Sequence, residues 1–307
     1  MKSILITGGT GLIGSNLSEF LSQSNYKISI VSRKKAKFPR HIIRYQWDIE
    51  NQILDFNILK DKDIIIHLAG EPITSKRWTK RQKSKILNSR VSTTRLLYQQ
   101  IKKLKVKPKV IIAASAIGIY PYDTIHRLDE NETSQSNGLL QNIVKTWEQE
   151  LTKFSNHGIR IVILRIGIVL SKKGGILSKL LLPFKLGLGF PMGTGEQLIS
   201  WIHILDLNRM IKHCIEDSNI KGIYNATAPY PVTNNLFSNT LSVLLKRNFF
   251  PSFIRIPSFL IKLFLGQMSD VILKGHNISS NKIKKTNFQF KYENIHAAIL
   301  NLLESKH

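Results

Sequence analysis

Apolar and polar positions follow two rhythms along the first half of the chain. Short runs, several of them almost wholly apolar, occur at 3–7, 27–32, 42–47, 63–69, 109–114 and 160–168. Such runs predict strands covered on both faces. Between several of them, apolar residues recur every three to four positions, which predicts amphipathic helices at 12–22, 83–103 and 139–154. In the first of these, Ile13, Leu17, Phe20 and Leu21 share one face. Strands and helices in alternation predict an α/β fold, a doubly wound parallel sheet of the Rossmann type.

Beyond Leu170 the rhythm changes. Residues 171–175 read as a loop, 176–188 as an apolar-basic stretch and 189–197 as turns. Short strands are predicted at 201–205 and 222–226, flanking a helix that starts at Asp206, and from Pro229 the chain reads as mostly helical, punctuated by Pro251 and Pro257. The predicted organisation is a Rossmann unit of 1–170 with about 202–228, and a smaller, discontinuous C-terminal substrate lobe of 171–201 and 229–307. Within that lobe, 254–303 is predicted to be a short helical domain. Packed over the carboxyl ends of the strands, the lobe closes the kind of crevice in which open α/β sheets bind ligands.

The connection between the first strand and first helix reads Thr7-Gly8-Gly9-Thr10-Gly11-Leu12-Ile13-Gly14. Gly8 and Gly11 permit backbone conformations and approaches that a Cβ blocks, and Gly14 lets the helix pack tightly. The free amides around Leu12 and Ile13, aided by the helix dipole, then face a diphosphate. A glycine triplet alone is weak evidence, but here it follows a strand and opens a helix. A dinucleotide cofactor is therefore expected. Ser32 and Arg33 end the second strand, about twenty residues beyond the loop, where an acidic residue would select NAD and a basic one the 2′-phosphate of NADP. Arg33, followed by Lys34 and Lys35, favours NADP; a solvated basic loop is the alternative. Asp48 is either an adenine contact or a turn residue, and the small residues of His67-Leu68-Ala69-Gly70 either admit the cofactor or simply turn the chain.

Composition narrows the picture further. The chain has 307 residues, 42% of them hydrophobic, enough for a substantial core. Its 45 basic and 20 acidic residues give a net charge of +25. A basic surface attracts anions, yet the lysines are scattered, with no aromatic platform or dense basic tail, so specific nucleic-acid binding is not expected. Cys214 is the single cysteine, which excludes an intrachain disulfide and a thiolate metal cluster. The histidines show no paired ligand spacing, and no metal is predicted. No apolar run is long enough to span a bilayer and the chain enters a strand at once, so the expected compartment is the cytoplasm, without membrane insertion.

Taken together, segments at 7–14, 68–73, 76–78, 88–90, 115–120, 147–148, 164–170, 174–175, 181–189, 201–206 and 225–229 resemble the extended short-chain dehydrogenase/reductase superfamily. More narrowly they resemble its atypical, epimerase-like branch, related to the NAD-dependent and sugar-nucleotide epimerases. The Leu265-Gly266-Gln267-Met268 and Leu273-Lys274-Gly275 segments look like the short helical domain that ends this branch. The resemblance implies an NADP-binding site formed by Gly8, Gly9, Thr10, Gly11, Leu12, Ile13 and Gly14, with Ser32 and Arg33 at the adenosine phosphate. Leu68, Ala69 and Gly70 would lie beside the diphosphate, Arg90 would reach the cofactor from its helix, and Val169 would touch the nicotinamide end. Arg90 as a helix surface charge and Leu68 and Val169 as core residues are the alternatives.

Short-chain dehydrogenases transfer hydride with a tyrosine and a lysine one helical turn apart, and with a serine at the end of the fifth strand. Here Ser115 matches the serine, but Leu140 and Val144 stand where tyrosine and lysine belong, a substitution shared by the branch. Tyr98 and Lys102 have the right spacing in the wrong helix and read as a solvent-side pair. Tyr120 is the replacement candidate beside Ser115, provided a cation such as Lys145 or Arg77 lowers its pKa. Glu71 is either a carboxylate base or a loop anchor. Trp78, Trp201 and His203 either line the pocket or pack between the lobes. The expected function is NADP(H)-dependent oxidoreduction or epimerisation of a small molecule; a non-catalytic NADP(H)-binding sensor is the alternative.

Overall fold

The computed structural model describes residues 1–33, 39, 41–74, 76–132, 138–247 and 254–305. Lys34, Lys35 and Pro251 lie outside the described residues. Ten helices and eleven strands can be followed in these segments. The first two-thirds run β1 (Lys2–Thr7), α1 (Leu12–Ser22), β2 (Tyr26–Ser32), β3 (Ile43–Gln46), β4 (Ile64–His67), α2 (Lys80–Lys102), β5 (Val110–Ala116), α3 (Leu139–Thr152) and β6 (Arg160–Ile166). Next come β7 (Ile168–Leu170), α4 (Gly175–Lys185), β8 (Leu198–Ile199), β9 (Trp201–His203), α5 (Ile204–Glu216) and β10 (Gly222–Ala226). The chain ends with β11 (Val232–Thr233), α6 (Asn234–Leu244), α7 (Ser258–Leu265), α8 (Asp270–Leu273), α9 (Asn281–Lys284) and α10 (Ile295–Glu304).

Seven strands form one sheet in the order β10-β6-β5-β4-β1-β2-β3, with every neighbouring pair parallel. Successive residues of a strand face opposite sides. Ile4, Leu5 and Ile6 are all fully buried, so both faces of β1 are covered. At the amino ends, Asp63 accepts from the Ser3 amide at 2.9 Å and pairs with Lys109 at 3.4 Å, stitching β1, β4 and β5 together. The order reverses between β1 and β4, whose carboxyl ends therefore flank the crevice predicted from sequence.

Two boundaries differ from the sequence pattern for identifiable reasons. The apolar run 160–168 is broken at Gly167: a Cβ there would meet the Ser200 carbonyl oxygen at 2.5 Å, so the chain leaves the large sheet. β7 then pairs with β9 in a separate ribbon. α2 starts earlier than the apolar periodicity suggests because the Thr79 side chain caps the Gln82 amide.

A second apolar cluster contains Leu177, Phe184, Trp201, Phe237, Ile299 and Leu302, together with Leu170, Ile204 and Ala228. Ile283 and Phe288 instead join the cluster under the large sheet. The buried Asp206 carboxylate fixes that return crossing by accepting from the Lys291 and Tyr292 amides, both at 2.8 Å, and from Arg209 at 3.0 Å. Among the described residues, no helix is long and apolar enough to cross a membrane, and no group of three or more metal-ligating side chains comes together.

Candidate functional site

The glycine loop fits its sequence because side chains are sterically excluded from it. Gly8 has φ +69°, and a Cβ there would lie 2.8 Å from the Leu68 carbonyl carbon. At Gly14 a Cβ would sit 2.3 Å from the Gly8 oxygen, so α1 packs directly on the loop that precedes it. α1 begins at Gly11 with neither a side-chain cap nor an acidic residue in its first turn. Its first amides have no intrahelical acceptor and sit at the positive end of the dipole. A bare, positively polarised strip of main chain of this kind fits a diphosphate group. The Leu12 side chain contacts the start of α4, with Cδ1 3.1 Å from where a Gly174 Cβ would stand, so the smaller lobe approaches the same strip.

A fully buried imidazole holds the loop against β4 and α2. Thr94 donates its hydroxyl hydrogen to the Arg90 carbonyl at 2.7 Å and must therefore accept from His67 Nε2 at 3.0 Å. His67 Nδ1, left without a proton, accepts from Thr7 Oγ1 at 2.7 Å. Thr7 Oγ1 in turn accepts the Leu68 and Ala69 amides at 3.2 and 3.3 Å. Each donor in this chain has one acceptor only if His67 is neutral. Burial enforces that state, lowering its pKa to about 4.

At the end of β2, Ser32 is buried and Arg33 is exposed. Arg33 Nη2 lies 3.5 Å from Glu71 Oε2, and Lys85 approaches Glu71 Oε1 at the same distance. Glu71 thus anchors the loop after β4 and holds two cations beside it. Its amide donates to Ser89 Oγ at 2.9 Å, and its carbonyl accepts from Arg90 Nη1 at 3.0 Å. Arg90 is a support as well as a lining residue. Its guanidinium lies 5.2 Å from the Trp147 ring centroid and against Gly70, and burial lowers its pKa to about 10 although Glu71 pulls the other way. Asp48 is a turn residue: its carboxylate takes the Glu50 and Asn51 amides and the Asn51 side chain.

Ser115 and Tyr120, the candidate catalytic pair, belong to a buried ionic network instead of a ligand-facing surface. Ser115 Oγ donates to Glu148 Oε1 at 2.6 Å. Arg165 binds both oxygens of Glu148, each at 2.9 Å, and donates from Nη1 to the Tyr120 hydroxyl at 2.8 Å. Tyr120 is fully buried and donates its own proton to Asn225 Oδ1 at 2.7 Å. Burial pushes its pKa up to about 12, outweighing the opposite pull of Arg165. Enclosed, and with its hydroxyl both donating to Asn225 and accepting from Arg165, Tyr120 does not line the cavity described below. The cation beside Tyr120 is Arg165 from β6, in place of Lys145 or Arg77. Trp78, Trp201 and His203 also serve the framework: the tryptophan Nε1 groups donate to the Ile73 and Tyr230 carbonyls, and His203 caps α5 at the Leu205 amide. Tyr98 packs edge-on against Phe154 and its hydroxyl meets His157 Nε2 at 3.0 Å.

A cavity of about 190 Å³ opens at the carboxyl ends of β5 and β6, walled on the sheet side by Ala116, Gly167 and Ile168 and reached by Arg90. Val169 follows directly, packed against both apolar clusters. The opposite wall comes from the smaller lobe, through Met192, Leu198, Ile199, Val271 and Ile272. Leu140 and Val144, the substituted dyad positions, line it too and leave it apolar there. Tyr122, Lys274 and His276 also meet in this lining, a grouping that the sequence pattern does not predict. The Lys274 Nζ lies 5.3 Å from the Tyr122 ring centroid, and the His276 ring stacks on Tyr122 with centroids 4.6 Å apart. No short-range spacing marks them, because a loop after β5 meets a segment from the far end of the chain.

Residues 4–227 match the model of the NAD dependent epimerase/dehydratase family, and residues 256–302 match a domain of unknown function, DUF1731. An epimerase family protein of Staphylococcus saprophyticus is 38% identical over 304 residues, covering 99% of this chain and 100% of that one. Its counterpart in Staphylococcus epidermidis is 37% identical over 307 residues, covering 99% and 100%. Among solved structures, the human epimerase family protein SDR39U1 with NADPH superposes with TM-score 0.88 at 29% identity, covering 99% of both chains. A nucleoside-diphosphate sugar epimerase from Corynebacterium glutamicum superposes with TM-score 0.77 at 27% identity, covering 98% of this chain and 58% of that one.

Proposed function

The chain belongs to the NAD-dependent epimerase/dehydratase family, and from that premise we propose that it binds NADP(H) and catalyses oxidoreduction or epimerisation of a small molecule in the cavity between its lobes. The observation that carries this reading is the glycine loop, where Gly8 and Gly14 leave no room for a Cβ and the first amides of α1 are uncapped. In the proposed complex, the amides of Gly9, Thr10, Leu12 and Ile13 face the diphosphate, while the Gly11 amide closes the loop on the Gly8 carbonyl at 3.0 Å. Leu68, Ala69 and Gly70 border it, and Val169 lies toward the nicotinamide. Ser32 and Arg33 take the adenosine phosphate, with Arg33 exchanging its 3.5 Å contact to Glu71 for a charge-assisted bond. When bound, the nicotinamide supplies reversible hydride exchange. The human structure with NADPH supports this choice of cofactor.

Titration of the purified protein with NADPH, followed by nicotinamide fluorescence, tests the reading directly: saturable binding is expected, and no signal with either pyridine nucleotide would overturn it. Arg33→Asp separates the two cofactors. Loss of one charge-assisted pair and gain of a repulsion predict NADPH binding weaker by roughly 100-fold with NADH binding unchanged or improved. Unaltered NADPH affinity in that variant would remove Arg33 from the site. A non-catalytic sensor would bind equally well and turn nothing over, a difference that single-turnover measurements with carbonyl compounds detect.

A further inference from the structure

The cavity's lining is poorly matched to a sugar. Its walls are dominated by aliphatic side chains, among them Ile143, Ile168, Ile176, Leu198 and Ile272, and among the described residues no aspartate or glutamate lines it. The polar groups that do line it are largely spent on the protein. Gln197 donates to the Met192 and Ile272 carbonyls, and Ser200 Oγ donates to the His276 carbonyl and accepts the Ile278 amide. The Asn234 oxygen accepts the Met192 amide. The two lining cations are also engaged, Arg90 with the Glu71 and Ile86 carbonyls and Lys274 with Asp270 at 3.0 Å. A sugar ring buried here would leave hydroxyls unpaired, and a second diphosphate would have to draw Lys274 away from Asp270, both costly to affinity.

Beside the buried His276 Nε2, which has no partner among the described residues, the lining residue that remains available is Tyr122. Its hydroxyl has no hydrogen bond among the described residues, while its ring is fixed between His276 and the Lys274 ammonium. Burial, with Asp270 and Asp123 nearby, raises its pKa to about 12, so at neutral pH it carries its proton. A phenol in that state is a donor to an oxygen that becomes basic as a carbonyl is reduced.

Resting on the cofactor reading above, we propose that the cavity accepts an apolar aldehyde or ketone in place of a nucleotide sugar, and that Tyr122 gives the proton when that carbonyl is reduced. The step balances: the carbonyl carbon gains a hydride from NADPH, its oxygen gains the Tyr122 proton, NADP⁺ and an alcohol leave, and water returns a proton to Tyr122.

Calorimetric titrations of the NADP⁺-saturated protein with decanal, acetophenone and UDP-glucose test the ligand class without turnover. Binding of decanal or acetophenone at least roughly tenfold tighter than UDP-glucose is expected, and the reverse order overturns the proposal. With NADPH and decanal, Tyr122→Phe is expected to lower kcat on the order of 100-fold while KM changes little, since the ring and its packing remain. Unchanged kcat in that variant overturns the role of Tyr122. Ile272→Glu, which sets a carboxylate in the wall, should weaken decanal binding by roughly tenfold and leave the NADPH titration unaltered. Failure of NADPH to bind the wild-type protein would count against the cofactor reading, whereas cofactor binding with UDP-glucose preferred counts against this one alone.

Discussion

Replacing Arg165 by methionine is expected to destabilise the fold by about 3–5 kcal/mol, read as a fall in the urea midpoint at constant slope. The guanidinium is almost completely enclosed and supplies both charge-assisted bonds to Glu148, one to Tyr120 and one to the Glu130 carbonyl. Burial alone would lower the Arg165 pKa, but Glu148 and then Tyr120 more than compensate and raise it. Removal of the cation strands a carboxylate that is only 8% exposed, and Ser115 provides it with a single remaining donor. The energy lost is chiefly the penalty for that unpaired charge, since the intact pair itself repays little more than its own desolvation. Arg165→Met combined with Glu148→Leu should therefore recover most of the loss. Equal instability of the double variant would mean that packing at Arg165, and not the orphaned charge, decides the outcome.

The same network explains what the sequence shows and what it conceals. The large sheet is legible because strands buried on both faces must be apolar at their centres, and 4–6, 110–114 and much of 160–168 are. The glycine loop is legible because sterics local to one strand and one helix dictate it. Gly167 is different: its small size answers to Ser200 and Thr227, distant in the chain, so nothing local marks the end of β6. The enclosure of Tyr120 is hidden for a similar reason. Proximity to Ser115 in sequence suggested a shared role in chemistry, and they do share one network, but the partners that enclose it, Arg165 and Asn225, come from β6 and β10. Arg165 within the apolar strand pattern was the available clue, since a strand buried on both faces tolerates a charge only when a partner is built for it. Tyr122, Lys274 and His276 offered no such clue. Their meeting depends on the smaller lobe folding back over the sheet.

Acid is expected to unfold this protein well above the range in which its paired carboxylates titrate. His67, His203 and His276 are held neutral, their pKa values lowered by burial from 6.5 to about 4. For a base the sign is as follows: above pH 6.5 neither state binds the proton and the full stability is present. As pH falls from 6.5 toward 4 the unfolded chain binds protons that the folded one refuses, so stability is lost across that window. At 1.36 kcal/mol per unit, each ring forfeits at most about 3 kcal/mol, and three together approach the whole stability of an ordinary domain. Neighbours act on two of these values: Asp206 raises that of His203 while Lys291 lowers it, and the Tyr120 backbone and then Asp123 raise that of His276. Asp63 and Glu150, whose pKa values are lowered, lose their contribution only at lower pH, below the ordinary carboxylate range. The first casualty should be the cofactor loop. Protonated His67 can no longer accept from Thr7, and the Thr7 hydroxyl that orients the Leu68 and Ala69 amides must turn. Urea midpoints measured from pH 7 down to pH 4.5 should therefore fall steeply, NADPH should shift the fall to lower pH, and NADPH affinity should weaken before the sheet melts. A stability curve that stays flat across this interval would show that the three imidazoles are free to protonate where they stand, and that the tautomer assigned to His67 is not what holds the loop.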